Sequence, residues 1–238
     1  MSMGHEEIDH QKAYQEFRER HGVHFILAVS GGAQTGIPGL PYSHQVVQDY
    51  VKNLNDRIRK VIRDCLCQFR SYGIAVMTSG TQNGVPRIAT EEAKELGLRT
   101  IFVYPWRARK YRMKEYNADL DLVIGSTIGD SEWGDDSPVF AKLLDAMLVI
   151  GGATGTLLEA THVFKINESA INHKGESGVR VKYVVPIRGF GGTSEMLHFL
   201  CFRDEVGLAC MPHESVYTGQ RAGELLFLNT DVSEWYNE

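Results

Sequence analysis

Cysteine is scarce, with four in 238 residues: Cys65, Cys67, Cys201 and Cys210. That is too few for the dense disulfide frame of a small secreted domain. Cys65 and Cys67 stand two apart in a helix-like segment, so they face different ways and do not bridge each other. Cys210-x-x-His213 has no second pair to complete a zinc site, and no metal is expected. Positive charge is also short: 25 Lys and Arg stand against 30 Asp and Glu, for a net charge of -5. A general nucleic-acid binder carries a basic excess to neutralise phosphates, so no nucleic-acid partner is expected. No apolar stretch approaches the ~18 residues that span a bilayer, so no membrane partner is expected either. Met1 to Gly22 is charged and helical in pattern, with no apolar centre of the secretory kind. These absences together place the chain in the cytoplasm. Three motifs are missing as well. Without G-x-G-x-x-G, G-x-x-x-x-G-K-[ST] or G-x-S-x-G, nicotinamide hydride transfer, P-loop ATP hydrolysis and the serine nucleophile elbow are disfavoured.

What is present is an alternation. Apolar, β-branched runs read as strands at His24–Val29, Gly73–Met77, Arg99–Tyr104, Leu120–Ile124, Ala146–Ile150 and Val179–Val185. Between them lie segments with apolar residues at three- and four-residue steps. These predict helices over Pro41–Arg70, Val85–Leu96, Asp136–Asp145, Thr156–Ile166 and Thr193–Phe202, with a short one near Gly219–Leu228. Gly97 is placed to end the second of these at C′. Asn167–Gly178 reads as an exposed loop. Short strands of nearly continuous apolar character suit a parallel sheet covered on both faces. The expected fold is α/β: Rossmann-like, doubly wound, mainly parallel, with six or seven strands. No linker or repeat divides the chain, so one domain is expected over 1–238, with a helical extension over 1–22 and a tail over 203–238.

Four strand ends run into small, glycine-rich segments. They are Ser30-Gly31-Gly32-Ala33-Gln34-Thr35-Gly36, Thr78-Ser79-Gly80-Thr81-Gln82-Asn83-Gly84, Gly151-Gly152-Ala153-Thr154-Gly155-Thr156 and Pro186-Ile187-Arg188-Gly189-Phe190-Gly191-Gly192-Thr193. Glycine lets backbone amides approach an anion closely. A following helix offers unpaired N–H groups and a partial positive charge. In an open parallel sheet the carboxyl edge is where ligands bind. Any one loop could be only a tight turn. Four at one edge predict a phosphate- or ribose-bearing ligand, with no further cofactor required.

The run from Asp145 to Glu159, with its GGATGTLLE, resembles the PGGxGTxxE signature of the LOG proteins, the lysine decarboxylase-like family of cytokinin-nucleotide phosphoribohydrolases. The Thr78–Gly84 loop and the stretch through Trp106 are similar to the wider SLOG superfamily of nucleotide-sensing domains, and the Pro186–Thr193 loop resembles its second glycine-rich loop. The resemblance spans roughly Val23 to Leu200. It implies a nucleotide site, a homodimer, and a role for Glu159 beside a ribose or an N-glycosidic bond. There are two departures. Ile150 stands where the family has proline, and Asp136 and Ser137 stand where it has an Arg-Lys pair. The arginine expected to hold substrate is thus missing, while the nucleotide loops are kept. Lysine decarboxylation has no support, since no assigned Schiff-base lysine or pyridoxal phosphate motif is present.

Glu159 carries two readings. It is a ligand-side carboxylate that steadies oxocarbenium-like charge or orients water. Equally, Thr156-Leu157-Leu158-Glu159 is a capping box with Thr156 as N-cap. Ser30, Thr81, Asn83 and Thr193 can hold ribose or phosphate, or cap helices. Arg107 and Arg188 can bind phosphate bidentately or sit among solvated charges. Gly31, Gly32, Gly80, Gly84, Gly151, Gly152, Gly155, Gly191 and Gly192 supply the backbone approach. Asp135 and Asp136 read first as a solvated acidic loop, and second as a hydroxyl acceptor. Trp106 and Trp133 read as packing or surface residues, or as faces for a base. Two functions from different classes follow: a protein that binds a mononucleotide or ADP-ribose-like ligand, and a hydrolase that releases a base from a nucleoside monophosphate. A scaffold that keeps the fold and not the site is the third.

Overall fold

In a computed structural model of the chain, the residues described are 10–33, 41, 43–126, 128–172, 180–200 and 210–230. Six strands form one sheet: β1 (Phe25–Gly31), β2 (Ile74–Thr78), β3 (Arg99–Pro105), β4 (Leu120–Ile124), β5 (Ala146–Ile150) and β6 (Tyr183–Ile187). Every pairing is parallel and the order is β4-β3-β2-β1-β5-β6. Among the described residues the helices are α1 (His10–His21), α2 (Gln45–Leu66), α3 (Gly84–Glu95), α4 (Ser137–Leu143), α5 (Thr154–Asn172), α6 (Gly192–Leu200) and α7 (Gly219–Asn229).

The two-residue period of β1 shows why the sheet needs cover on both sides. Phe25, Leu27 and Val29 join one core with Ile62 and Leu66 of α2, Ile88 of α3 and Leu226 of α7. Ile26 and Ala28 join the opposite core with Tyr14 and Phe17 of α1, Phe140 of α4 and Val163 of α5. Both faces are apolar because both are buried, so the strand reads as a continuous apolar run. The doubly wound, Rossmann-like expectation therefore holds, with six strands, all parallel.

Helix ends follow local chemistry. Gly97 takes φ +74°. Its amide donates to Lys94 O at 3.1 Å and Leu98 N donates to Ala93 O at 2.9 Å, the paired bonds of a Schellman stop. Thr218 caps α7 by accepting from Arg221 N at 3.2 Å. Arg59 and Arg63 of α2 clamp Glu92 of α3, whose side chain is wholly buried.

Several predicted boundaries move. The long first helix is α2 followed by a 3-10 turn at Cys67–Phe69. The helix expected over Asp136–Asp145 is shorter, at Ser137–Leu143. The last strand begins at Tyr183, later than expected. α5 begins two residues before Thr156 and runs six past Ile166, so the expected loop from Asn167 is helical through Asn172. The reason is Asn167, fully buried, whose amide bonds Lys182 O and whose carbonyl accepts from Lys182 N, both at 2.8 Å. A polar residue that looked like loop is there to satisfy the backbone entering β6. The rest of that loop (173–178), the expected strand start at 179, residues 201–209 and 231–238 lie outside the described residues. No helix among the described residues is long and apolar enough to cross a membrane.

Candidate functional site

Chain order reverses direction in the sheet between β1 and β5. β1 is followed by β2 on one side, while β5 pairs with its other side, Leu27 against Ala146 through Gly31 against Ile150. At such a switch point the loops leaving the two strands part and leave a crevice. A cavity of about 670 Å³ lies there, within the ~300–1,000 Å³ range of small-molecule sites. Its walls include Ser30–Ala33 at the end of β1, Gly152–Thr156 opening α5, Asp136 and Ser137 opening α4, and Tyr104 and Pro105 ending β3.

Close approach explains the glycines. A Cβ on Gly31 would meet Ile150 O at 2.3 Å, so only glycine lets β1 pass β5 and turn away. Gly84 has φ +65°, and a Cβ there would meet Gly32 O at 2.1 Å. Val85 N donates to that same carbonyl at 2.9 Å, which ties the first loop to the start of α3.

Glu159 does not cap its helix. α5 starts at Thr154, and the Ser30 hydroxyl donates to Glu159 Oε2 instead, joining the two sides of the crevice. The capping-box reading of Thr156 and Glu159 is thus replaced by a tertiary bond. The carboxyl is buried. Burial pushes it up to about 8, with the Ser30 bond pulling down and the charge of Asp136 adding to the rise. Asp136 is buried too, not a solvated loop residue, and burial lifts it to about 6 against the pull of backbone N–H groups. Burial thus lifts both carboxyls above their usual range, Glu159 further than Asp136.

The structure sorts the predicted site residues into two groups. Ser30, Gly31, Gly32, Thr81, Gly152, Gly155, Thr156 and Glu159 line the cavity. The others support it or lie apart. Gly80, at φ +64°, packs against the Phe102 ring. Asn83 is exposed ahead of α3 and makes no capping bond. Arg107 is paired with Glu132, and Arg188 with Glu195 at 3.0 Å. No Lys, Arg or His stands among the described residues that line the cavity.

The fourth glycine loop is spent on the third. Thr193 N donates to Gly152 O and Ser194 N to Gly151 O, both at 3.0 Å. The Thr193 hydroxyl donates to Ala153 O at 2.9 Å. Gly192 has φ +60° and would place a Cβ 2.1 Å from Gly152 O. Gly151, at φ +59°, donates its amide to the Ser194 hydroxyl at 3.1 Å, and Gly191 (φ +69°) belongs to the same turn. The first amides of α6 are thus consumed by backbone carbonyls, while the first turn of α5 opens into the cavity. Asp145, at the far end of β5, accepts from Ile26 N at 2.7 Å and is a strand anchor remote from the crevice.

Sequence reasoning gave too little weight to Asp136 and Trp133, and passed over Tyr104, Pro105 and Phe140, all of which line the cavity. Tyr104 and Pro105 could have been found as the carboxyl end of a strand near the switch point. Phe140 was readable only as core.

No protein-family model matches this sequence, and no curated protein matches it. Solved structures do. The X-ray structure of the protein TM1055 is 17% identical, covers 85% of this chain and 98% of its own, and superposes with a TM-score of 0.53. The molybdenum cofactor binding protein from the phototrophic bacterium Rippkaea orientalis is 15% identical, covers 85% and 94%, and gives a TM-score of 0.50. The shared feature is the fold. This chain has the Rossmann-like α/β fold in common with them, as its alternation of apolar strands and helices led one to expect.

Proposed function

We propose that the chain binds a nucleotide or nucleotide-derived small molecule, of the mononucleotide or ADP-ribose-like class, in the β1/β5 crevice. One observation carries the reading: the first turn of α5 and two buried carboxyls, Glu159 and Asp136, share one cavity. The helix amides suit a phosphate. Glu159, when protonated, donates to a sugar hydroxyl, and Asp136 accepts from another. Because no cationic side chain stands among the described residues of the lining, affinity rests on amides and shape, which suits a carrier or sensor. A neighbour in fold is described as binding the molybdenum cofactor, so that compound belongs among those tested. The homodimer implied by the family resemblance is part of this proposal. Val46 and Tyr50 of α2 are exposed, and sedimentation of the full chain decides it.

The test is thermal unfolding with AMP, ADP, ADP-ribose, NAD, ribose 5-phosphate and the molybdenum cofactor, each mixture then assayed for free base. Ligand at ~100 times its dissociation constant stabilises by about 2.7 kcal/mol. A shift with ligand recovered intact supports the proposal. No shift with any compound overturns it in favour of a scaffold.

The carboxyl pair also favours a second reading. One protonated and one ionised group are what a general acid and a water-orienting base require. Water would add across an N-glycosidic bond, and Glu159 would protonate the departing base to leave free base and sugar phosphate. Base release that is lost in Glu159→Gln establishes this reading.

A further inference from the structure

Trp133 stands at the mouth of the cavity with 59% of its surface exposed. An exposed aromatic on a loop ordinarily wanders, but this one is held. The Tyr111 ring lies 5.8 Å away, centroid to centroid, and the Arg107 guanidinium 5.6 Å from the ring centre. Arg107 is itself tied down. It pairs with Glu132, and its amide donates to the Ser131 hydroxyl at 3.3 Å. Glu132 N donates to Asp135 Oδ2 at 2.7 Å. Next in the chain, Gly134 has φ +99° and a Cβ there would meet Leu158 Cδ2 at 2.6 Å. The loop after β4 is therefore docked on the turn after β3 and on α5. It presents its tryptophan without burying it.

The cavity lining is thus mixed. Asp136, Glu159 and the first turn of α5 give it polar groups. Trp133, with Tyr104, Pro105 and Leu158 on the same lining, adds apolar and aromatic surface. From this placement we infer that Trp133 is a stacking platform for a planar heterocycle, so that the ligand carries a base or comparable fused ring joined to its phosphorylated, hydroxyl-bearing part. The inference rests on the ligand reading above and adds the ring and its seat. A ring held in place beforehand loses little entropy when a base settles on it. Stacking is tolerant of ring identity, because every base has a π-face. Adenine and guanine nucleotides are therefore expected to bind comparably.

Calorimetry on the full chain tests this with AMP and ribose 5-phosphate as probes. Trp133→Ala should weaken AMP by roughly 5- to 150-fold, the range of one base-stacking contact, and leave ribose 5-phosphate within about 2-fold. Trp133→Phe should recover most of the AMP affinity. The inference is overturned if Trp133→Ala leaves AMP unchanged, if both probes weaken equally, or if wild type holds ribose 5-phosphate as tightly as AMP. A drop in apparent mass with AMP affinity intact would also overturn it, and would make Trp133 a contact between copies. Wild type that binds neither probe sinks the underlying ligand reading, an outcome distinct from failure of stacking alone.

Discussion

Glu159→Gln keeps the shape of a side chain that the fold holds neutral and removes its titration. Burial raises this carboxyl from 4.5 to about 8. The unfolded chain releases the proton near 4.5, so between those values the folded state binds one proton more. By linkage, this group's contribution to stability is fully favourable below about pH 4.5. It falls by about 1.4 kcal/mol per pH unit as pH rises, then levels above about pH 8. At pH 7 the wild-type chain has lost about 3 kcal/mol to this one group, and above pH 8 about 5 kcal/mol. Glutamine incurs none of that loss, and its carbonyl can still accept the Ser30 hydroxyl. For a chain of this size, 3 kcal/mol corresponds to roughly 6–12 °C in Tm. Thermal unfolding of both chains at pH 5, 7 and 8.5 is the assay. The variant should gain little at pH 5, clearly more at pH 7 and most at pH 8.5. Asp136 titrates in both chains and largely cancels. Equal stability at pH 7, or a gap that does not widen with pH, refutes the claim that a neutral, buried carboxyl sits in the crevice.

Other substitutions probe the supports. Gly192→Ala forces a Cβ onto Gly152 O and a left-handed backbone onto alanine. It should cost at least ~1–3 kcal/mol in urea unfolding and weaken ligand-induced thermal shifts, although Gly192 does not line the cavity. Asn167→Ala strips both bonds from Lys182. A half-buried amide and carbonyl are left without these partners, for a loss of about 1–3 kcal/mol by chemical denaturation. Glu92→Gln removes the charge that Arg59 and Arg63 share. The loss should be about 3 kcal/mol, the low end for a buried pair, because both arginines keep access to water. An unchanged denaturation midpoint in any of the three would show that the named contact does not carry the stability assigned to it.

The strands were legible because each is an apolar run, and the glycine loops because glycine announces itself. β2 through β5 fall within a residue or two of their expected positions. Misreadings came where a residue's partner is far away in the chain. Thr156 and Glu159 have capping-box spacing, but spacing says nothing of Ser30, which supplies the actual bond. Asn167 looked like loop because only the tertiary structure brings Lys182 to it. Asp136 looked solvated because its neighbours Asp135 and Trp133 are polar or exposed. Its burial comes from the closing of α4 onto the crevice. Arg107 and Arg188 had the right charge for phosphate, but acidic partners already hold them.

The crevice joins stretches that the chain keeps far apart: Ser30 and Glu159 are separated by 129 residues. β1 pairs with β5 across the longest sequence span in the sheet, while β2 with β3 and β3 with β4 close much shorter loops. Topology of this kind makes the central seam slow to form. A small molecule lodged in that seam finds no foothold on a chain in which β1 and β5 are still apart. Its binding energy then opposes global opening and leaves local fraying alone. In hydrogen exchange, the slowest amides of β1 and β5 should slow together on saturation, and those at the ends of α1 should not change.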